Sequence, residues 1–191
     1  FATTPGDEWS NQTITTSPYG RTFLGRFCND EIVYTNQNLP PHIKLTIEFD
    51  LNIIASWDGN GAENGEFWKI TADGNTILYT TFSNRENNQS FPDNYPADYP
   101  PHTGAEEIDV LGYGSGYWGD SVYHLSFEII HNSPSLQLSF KGIGLEGIDN
   151  ESWGIDNFTL YYSDIDSDFS VSTHNGSSPL TVSFIDQSLS C

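Results

Sequence analysis

One run of sequence constrains the fold more than any other. From His42 to Ile53, apolar side chains at 43, 45, 47, 49, 51 and 53 alternate with polar ones. That is the period of a strand with one face buried and the other wet. The period recurs at Tyr123, Leu125, Phe127 and Ile129, and again at Leu136, Leu138 and Phe140, with Asn132-Ser133-Pro134 between the two runs. Together these runs predict a hairpin. Further strands are expected over 21–27, 31–35, 67–72, 76–82 and 154–162, with Asp73-Gly74-Asn75 as a tight turn between two of them. No segment keeps a helical period. Short strands with one apolar face each, bounded by Gly, Pro, Asn and Asp, predict an all-β chain: a two-sheet antiparallel β-sandwich, jelly-roll-like, with a C-terminal β-strand extension.

A length of 191 residues suits one sizeable domain. The expected division is a polar lead over 1–19, the sandwich over 20–162, an acidic linker over 163–168 and a partial strand pair over 169–191. Acidic residues number 26 against 6 basic ones, a net charge of −20. Phosphate backbones and anionic lipid would repel such a chain, which argues against nucleic-acid partners and acidic membrane surfaces. No apolar run is long enough for membrane insertion as a helix. The chain has no Met and starts at Phe1-Ala2-Thr3, and it carries sequons at Asn11, Asn88, Asn150, Asn157 and Asn175. We read these features as a processed, glycosylated protein of the extracellular space or cell surface. Cys28 and Cys191 are too few for a disulfide framework; they are open to pairing with each other, to linking two chains or to staying free.

Two connections stand out. Residues 83–105 form a strandless stretch holding Phe91, Tyr95 and Tyr99 among prolines, and Gly112 to Gly119 sets Tyr113, Tyr117 and Trp118 among glycines. Rings on loops stack on sugar faces, so Tyr95, Tyr99, Tyr117 and Trp118 are candidate glycan contacts; the competing expectation is that the rings fold back over the edge of the sandwich.

Oxygen ligands gather among glycines in two places. Trp57 to Glu63 offers Asp58, Asn60 and Glu63, and Asp149 to Asn157 offers Asp149, Glu151 and Asp156. Calcium takes six to eight hard oxygens from flexible loops, so these six residues form the candidate Ca2+ set. The competing expectation for Asp and Asn in such segments is turn formation. Asp58-Gly59-Asn60-Gly61 lacks the later ligands of an EF-hand.

Four blocks in order, Phe23-Leu-Gly-Arg-Phe27, Phe49 to Asn60 with its Ser56-Trp57-Asp58-Gly59-Asn60 ending, Thr81-Phe-Ser-Asn84 and Glu151-Ser-Trp-Gly-Ile-Asp-Asn157, resemble a secreted β-sandwich module of bacterial and archaeal extracellular proteins. The resemblance spans 20–162 and implies a surface location with attachment or scaffolding as the role. Residues 169–188 resemble the first two strands of a PKD-like, immunoglobulin-like domain, without that family's later W-x-F-G-D-G segment. Two strands alone expose one apolar face. The pair is therefore expected either to belong to a longer protein or to dock on another surface, such as a like subunit or a neighbouring domain, through Phe169, Leu180, Val182 and Phe184.

Enzymatic signatures are not apparent in the sequence. Glu146, Asp149 and Glu151 lack the E-x-D-x-x-E spacing of sandwich glucanases, no G-x-S-x-G elbow occurs, and the five histidines have no zinc spacing. Two readings remain: a calcium-stabilised structural or adhesive subunit of a surface or filamentous assembly, and a carbohydrate-binding module of a larger adhesin or hydrolase.

Overall fold

The computed structural model of the chain describes residues 1, 4–62, 65–114, 119–163, 169–172, 176, 178 and 181–186. Along the chain come β1 (Ile14–Thr16), β2 (Thr22–Phe27), β3 (Glu31–Asn36), β4 (Lys44–Ala55), β5 (Phe67–Ala72), β6 (Asn75–Thr80), β7 (Glu107–Ile108), β8 (Asp120–Ile130), β9 (Leu136–Ile143), β10 (Glu151–Ser163), β11 (Phe169–Val171) and β12 (Phe184–Asp186). A six-stranded sheet has the order β1-β2-β10-β4-β8-β7, and a four-stranded sheet the order β3-β9-β5-β6. Every pairing is antiparallel, and β11 and β12 pair with each other, Val171 opposite Phe184.

The alternation in β4 does what its period requires. Leu45, Ile47, Phe49, Leu51 and Ile53 are fully buried in the core. Across from them the four-stranded sheet contributes Trp68, Ile70, Leu138 and Phe140, and Phe49 meets Phe140 edge to face at 5.4 Å between ring centroids. Trp68 in turn packs edge to face on Trp153 of β10 at 6.2 Å. Rings in this arrangement add to the burial term through their quadrupoles. The core is thus a two-layer filling between facing sheets, and most connections cross from one sheet to the other, as in a jelly roll.

Two expectations need correction. The runs at 123–129 and 136–140 do not form a hairpin: β8 pairs with β4 and β7, whereas β9 pairs with β3 and β5 in the opposite sheet. Each strand has one apolar face, and a crossing connection lets those faces bury each other across the core instead of lying side by side. The sandwich also reaches into the lead: β1 pairs with β2, and Trp9 is buried against Tyr34, Phe140 and Phe158. The β5–β6 turn is as expected, with Asp73 at φ 48° and Gly74 at φ 80°, the left-handed pair of a tight hairpin.

The outer face of the six-stranded sheet carries a second, small core of Phe23, Ile54, Ala55, Leu111 and Val122. Gly154 permits it, because a Cβ there would lie 2.4 Å from the Phe23 ring. Residues 83–105 fold back on the sandwich. Phe91 packs on Phe82 and Tyr123 at 4.9 and 5.1 Å, while the Gln89 Oε1 accepts from the Ser83 backbone N–H at 3.0 Å. Among the described residues no helix is long and apolar enough to cross a membrane.

Candidate metal centre

Three carboxylates converge at one end of the sandwich. Asp58 follows β4, Glu66 immediately precedes β5, and Glu151 opens β10 opposite Ala55 of β4. One oxygen from each lies within 4.8 Å of the others. Glu66 and Glu151 are 5% and 1% exposed. Their burial follows from strand phase. Glu66 precedes Trp68 and Ile70 on the core-facing side of β5, and Glu151 precedes Trp153 and Ile155 on the core-facing side of β10.

Backbone donors hold two of the three side chains. The Asp58 N–H donates to Glu66 Oε2 at 2.6 Å, and the Glu146 N–H donates to Glu151 Oε2 at 2.8 Å. The Arg85 Nε lies 3.5 Å from Asp58 Oδ1. A cavity of about 230 Å³ adjoins the cluster, walled by Gly61, Gly65 and Gly144 and bordered by Glu146.

Burial makes three negative charges here costly, because the charged form loses its hydration. It pushes the Glu66 carboxyl up to about 8, and the nearby charges of Glu151 and Asp58 add to the effect. Burial also raises Glu151, with Glu146 contributing repulsion, and raises Asp58 despite the Arg85 guanidinium. Without a cation, a proton on one of the carboxyls would relieve the repulsion. A divalent cation would let all three carboxylates ionise, and the three separate segments would offer it hard oxygens of the kind calcium takes.

The expected ligands divide. Asp58 and Glu151 are in the cluster. Glu66 was not anticipated, and Glu63 lies outside the described residues. Asn60 is committed elsewhere: its Oδ1 accepts from the Thr81 and Ser90 hydroxyls at 2.6 and 2.9 Å, and its Nδ2 donates to the Ala97 carbonyl at 2.9 Å, pinning the long loop. Asp149 is 93% exposed and faces Arg26 Nη2 at 3.1 Å. Asp156 lies on the outer face of the six-stranded sheet, where it contacts the amino group of Phe1.

Of the glycan candidates, Tyr95 is 47% exposed and meets Phe67 edge-on at 5.1 Å, while Tyr99 donates its hydroxyl to Asp93. Tyr117 and Trp118 lie outside the described residues. Of the sequons, Asn88 is exposed and donates to Asp98 at 2.8 Å, and Asn11 accepts from the Thr13 N–H at 2.9 Å. Asn150 bonds Ser56 and Glu146, Asn157 donates to Asp50 Oδ2 at 2.6 Å, and Asn175 is outside the described residues. Cys28 is a half-buried thiol raised by burial, and Cys191 is outside the described residues. In the extension, Phe169 and Phe184 sit on β11 and β12, Val182 is half-buried and Leu180 is outside the described residues. His42 is 2% exposed; its Nε2 pairs with His131 Nδ1 at 2.6 Å, and His131 Nε2 faces Asp73 at 3.1 Å.

Comparison of the chain with protein families, curated proteins and solved structures returns no match.

Proposed function

We propose that the protein is a non-enzymatic β-sandwich subunit of an extracellular or cell-surface assembly, with one end of the sandwich locked by a calcium ion on Asp58, Glu66 and Glu151. The observation that carries this reading is the burial of two carboxylates beside a third within 4.8 Å. A fold retains such a cluster at a cost in stability unless something positive fills it. A cation there ties the exits of β4 to the entries of β5 and β10, joining both sheets at one end. Stiffening of this kind suits a load-bearing or adhesive module. The strands β11 and β12 supply the docking element, and Ile185, 60% exposed on β12, marks an apolar side available to a neighbouring subunit.

Calorimetric melting of the full chain at pH 8, with calcium and with a chelator, tests the lock. A large upward shift with calcium is expected, because a ligand that binds only the folded state must stabilise it. The shift should vanish in Glu151→Gln. Sedimentation of Ile185→Asp tests the docking element: loss of assembly with unchanged melting is expected. Identical melting with and without calcium, or assembly indifferent to the substitution, would remove the respective half of the reading.

A further inference from the structure

Besides the cation cluster, the molecule carries a polar groove of about 500 Å³ on the outer face of the six-stranded sheet, within the range of small-molecule sites, about 300 to 1,000 Å³. At its floor lies Asn52, 3% exposed, whose side-chain amide hydrogen-bonds no described residue. The one fully buried side-chain polar atom without a partner among the described residues is Trp68 Nε1, so the Asn52 amide, though nearly buried, keeps its remaining contact with the groove, where a ligand would complete its hydrogen bonds. Asn52 sits on the outward phase of β4, between Asp50 and Ile54, opposite Gly154 and Val122 on the neighbouring strands. Its neighbours Phe23 and Val122 belong to the small outer core, so the amide opens only towards the groove.

We propose that this groove binds an amine-bearing saccharide, with Asn52 as the central contact. The walls explain the choice. Asp50, Glu106, Glu107 and Asp156 set four carboxylates against Arg21, whose guanidinium is already occupied by Glu107. An anionic ligand is repelled from such a lining, and a cationic one is drawn in. A lone metal ion suits the groove poorly, because among the described residues the only three carboxylates close enough to share one are Asp58, Glu66 and Glu151. Acceptors spread over several strands instead match hydroxyls spread around a sugar ring. Asp50 is held in place by His124 Nδ1 at 2.8 Å and Asn157 Nδ2 at 2.6 Å, which fixes where its remaining lone pairs point. Asn52, with one acceptor and two donors, addresses a pair of neighbouring hydroxyls.

The inference stands apart from the calcium reading, and either can fail alone. Titration calorimetry of the full chain in chelator, with a glucosamine tetramer, its N-acetylated counterpart and a glucose tetramer, tests it. The amine-bearing tetramer is expected to bind at least tenfold more tightly than the other two, with an advantage that shrinks as salt rises. Asn52→Ala is expected to weaken its binding at least tenfold. Asp50→Asn, which keeps the shape of the groove, should lower the preference for the amine over the acetylated form. Absence of binding by all three oligomers, equal affinity for the amine and acetylated forms, or wild-type affinity in a folded Asn52→Ala chain would each overturn the proposal.

Discussion

Two carboxylate-rich regions of the molecule use the same side chains to opposite ends. At the cluster, Asp58, Glu66 and Glu151 bring oxygens within 4.8 Å of one another, and two of the three residues are almost fully buried. On the outer groove, Asp50, Glu106, Glu107 and Asp156 line an open concavity in which the acids lie on three strands or their margins. Spacing and burial decide the outcome. Gathered, buried carboxylates must take up a proton or a cation, whereas dispersed ones offer separate acceptors. The cluster is therefore the region whose protonation and cation state should set how stability varies with pH, whereas the groove should set which ligand the fold takes up.

The largest effect expected from this contrast is a divergence of two stability profiles. Without a cation, Glu66 is raised in the folded state to about 8 from an ordinary carboxyl value of 4.5. Between those values the folded chain binds more protons than the unfolded one, so stability falls as pH rises from about 4.5 to about 8. If calcium fills the cluster as proposed, it binds the ionised carboxylates, and its contribution is expected to grow over the same interval, to about 4 kcal/mol when free calcium exceeds Kd roughly a thousandfold. Melting curves in chelator and in calcium should therefore diverge with rising pH. Parallel curves would mean that the cluster behaves like the groove.

A smaller effect isolates one member of the cluster. Glu66→Gln removes the repulsion while nearly preserving the side-chain shape. In chelator at pH 8 it should stabilise the chain by about 2 kcal/mol, in the range for relieving a buried uncompensated polar group. The calcium response should be lost at the same time. Denaturant melts with and without calcium check both signs together.

The groove gives the next effect in size, and its sign is the informative part. Asn52→Leu exchanges a buried, unpartnered amide for an apolar group of similar shape, so stability should rise by about 1 to 2 kcal/mol, roughly 2 to 8 °C in Tm. A polar residue retained where an apolar one would stabilise the fold is the mark expected of a binding position. A fall in Tm would instead place Asn52 among the structural residues.

Strand phase carried most of what was legible in the sequence. The alternation at 43–53 specifies both the core-facing residues of β4 and, by its other phase, the position of Asn52 on the outer face. The same reasoning applied at the strand margins identifies Glu66 and Glu151, since each stands two residues before a buried tryptophan in step with it. Reading Asp, Asn and Glu by local density among glycines instead placed Asn60 and Asp149 in the ligand set, because density does not distinguish a loop side chain that turns inward from one that stays out. Sheet partnership was not legible either. Nothing local in β8 and β9 separates a hairpin from a crossing, because both bury the same faces and differ only in which sheet closes over them.

The smallest effect concerns Asp149, two residues from Glu151 and of the same charge. Its side chain is 93% exposed, and its one described partner, Arg26, is held without it: the Arg26 Nε donates to Ser152 Oγ at 3.0 Å, a second guanidinium nitrogen donates to the Ile148 carbonyl, and the guanidinium lies 5.0 Å from the centroid of the Tyr113 ring. An exposed ion pair whose cation is already anchored contributes little, and salt screens what remains. Asp149→Ala should therefore change stability by no more than about 0.5 kcal/mol. It should leave the calcium-induced rise in Tm intact, whereas Glu151→Gln abolishes it. If Asp149→Ala also reduced the calcium response, the ion would have to sit further out, towards the 147–150 turn, and the buried pair would be a proton-sharing contact beside the site instead of its centre.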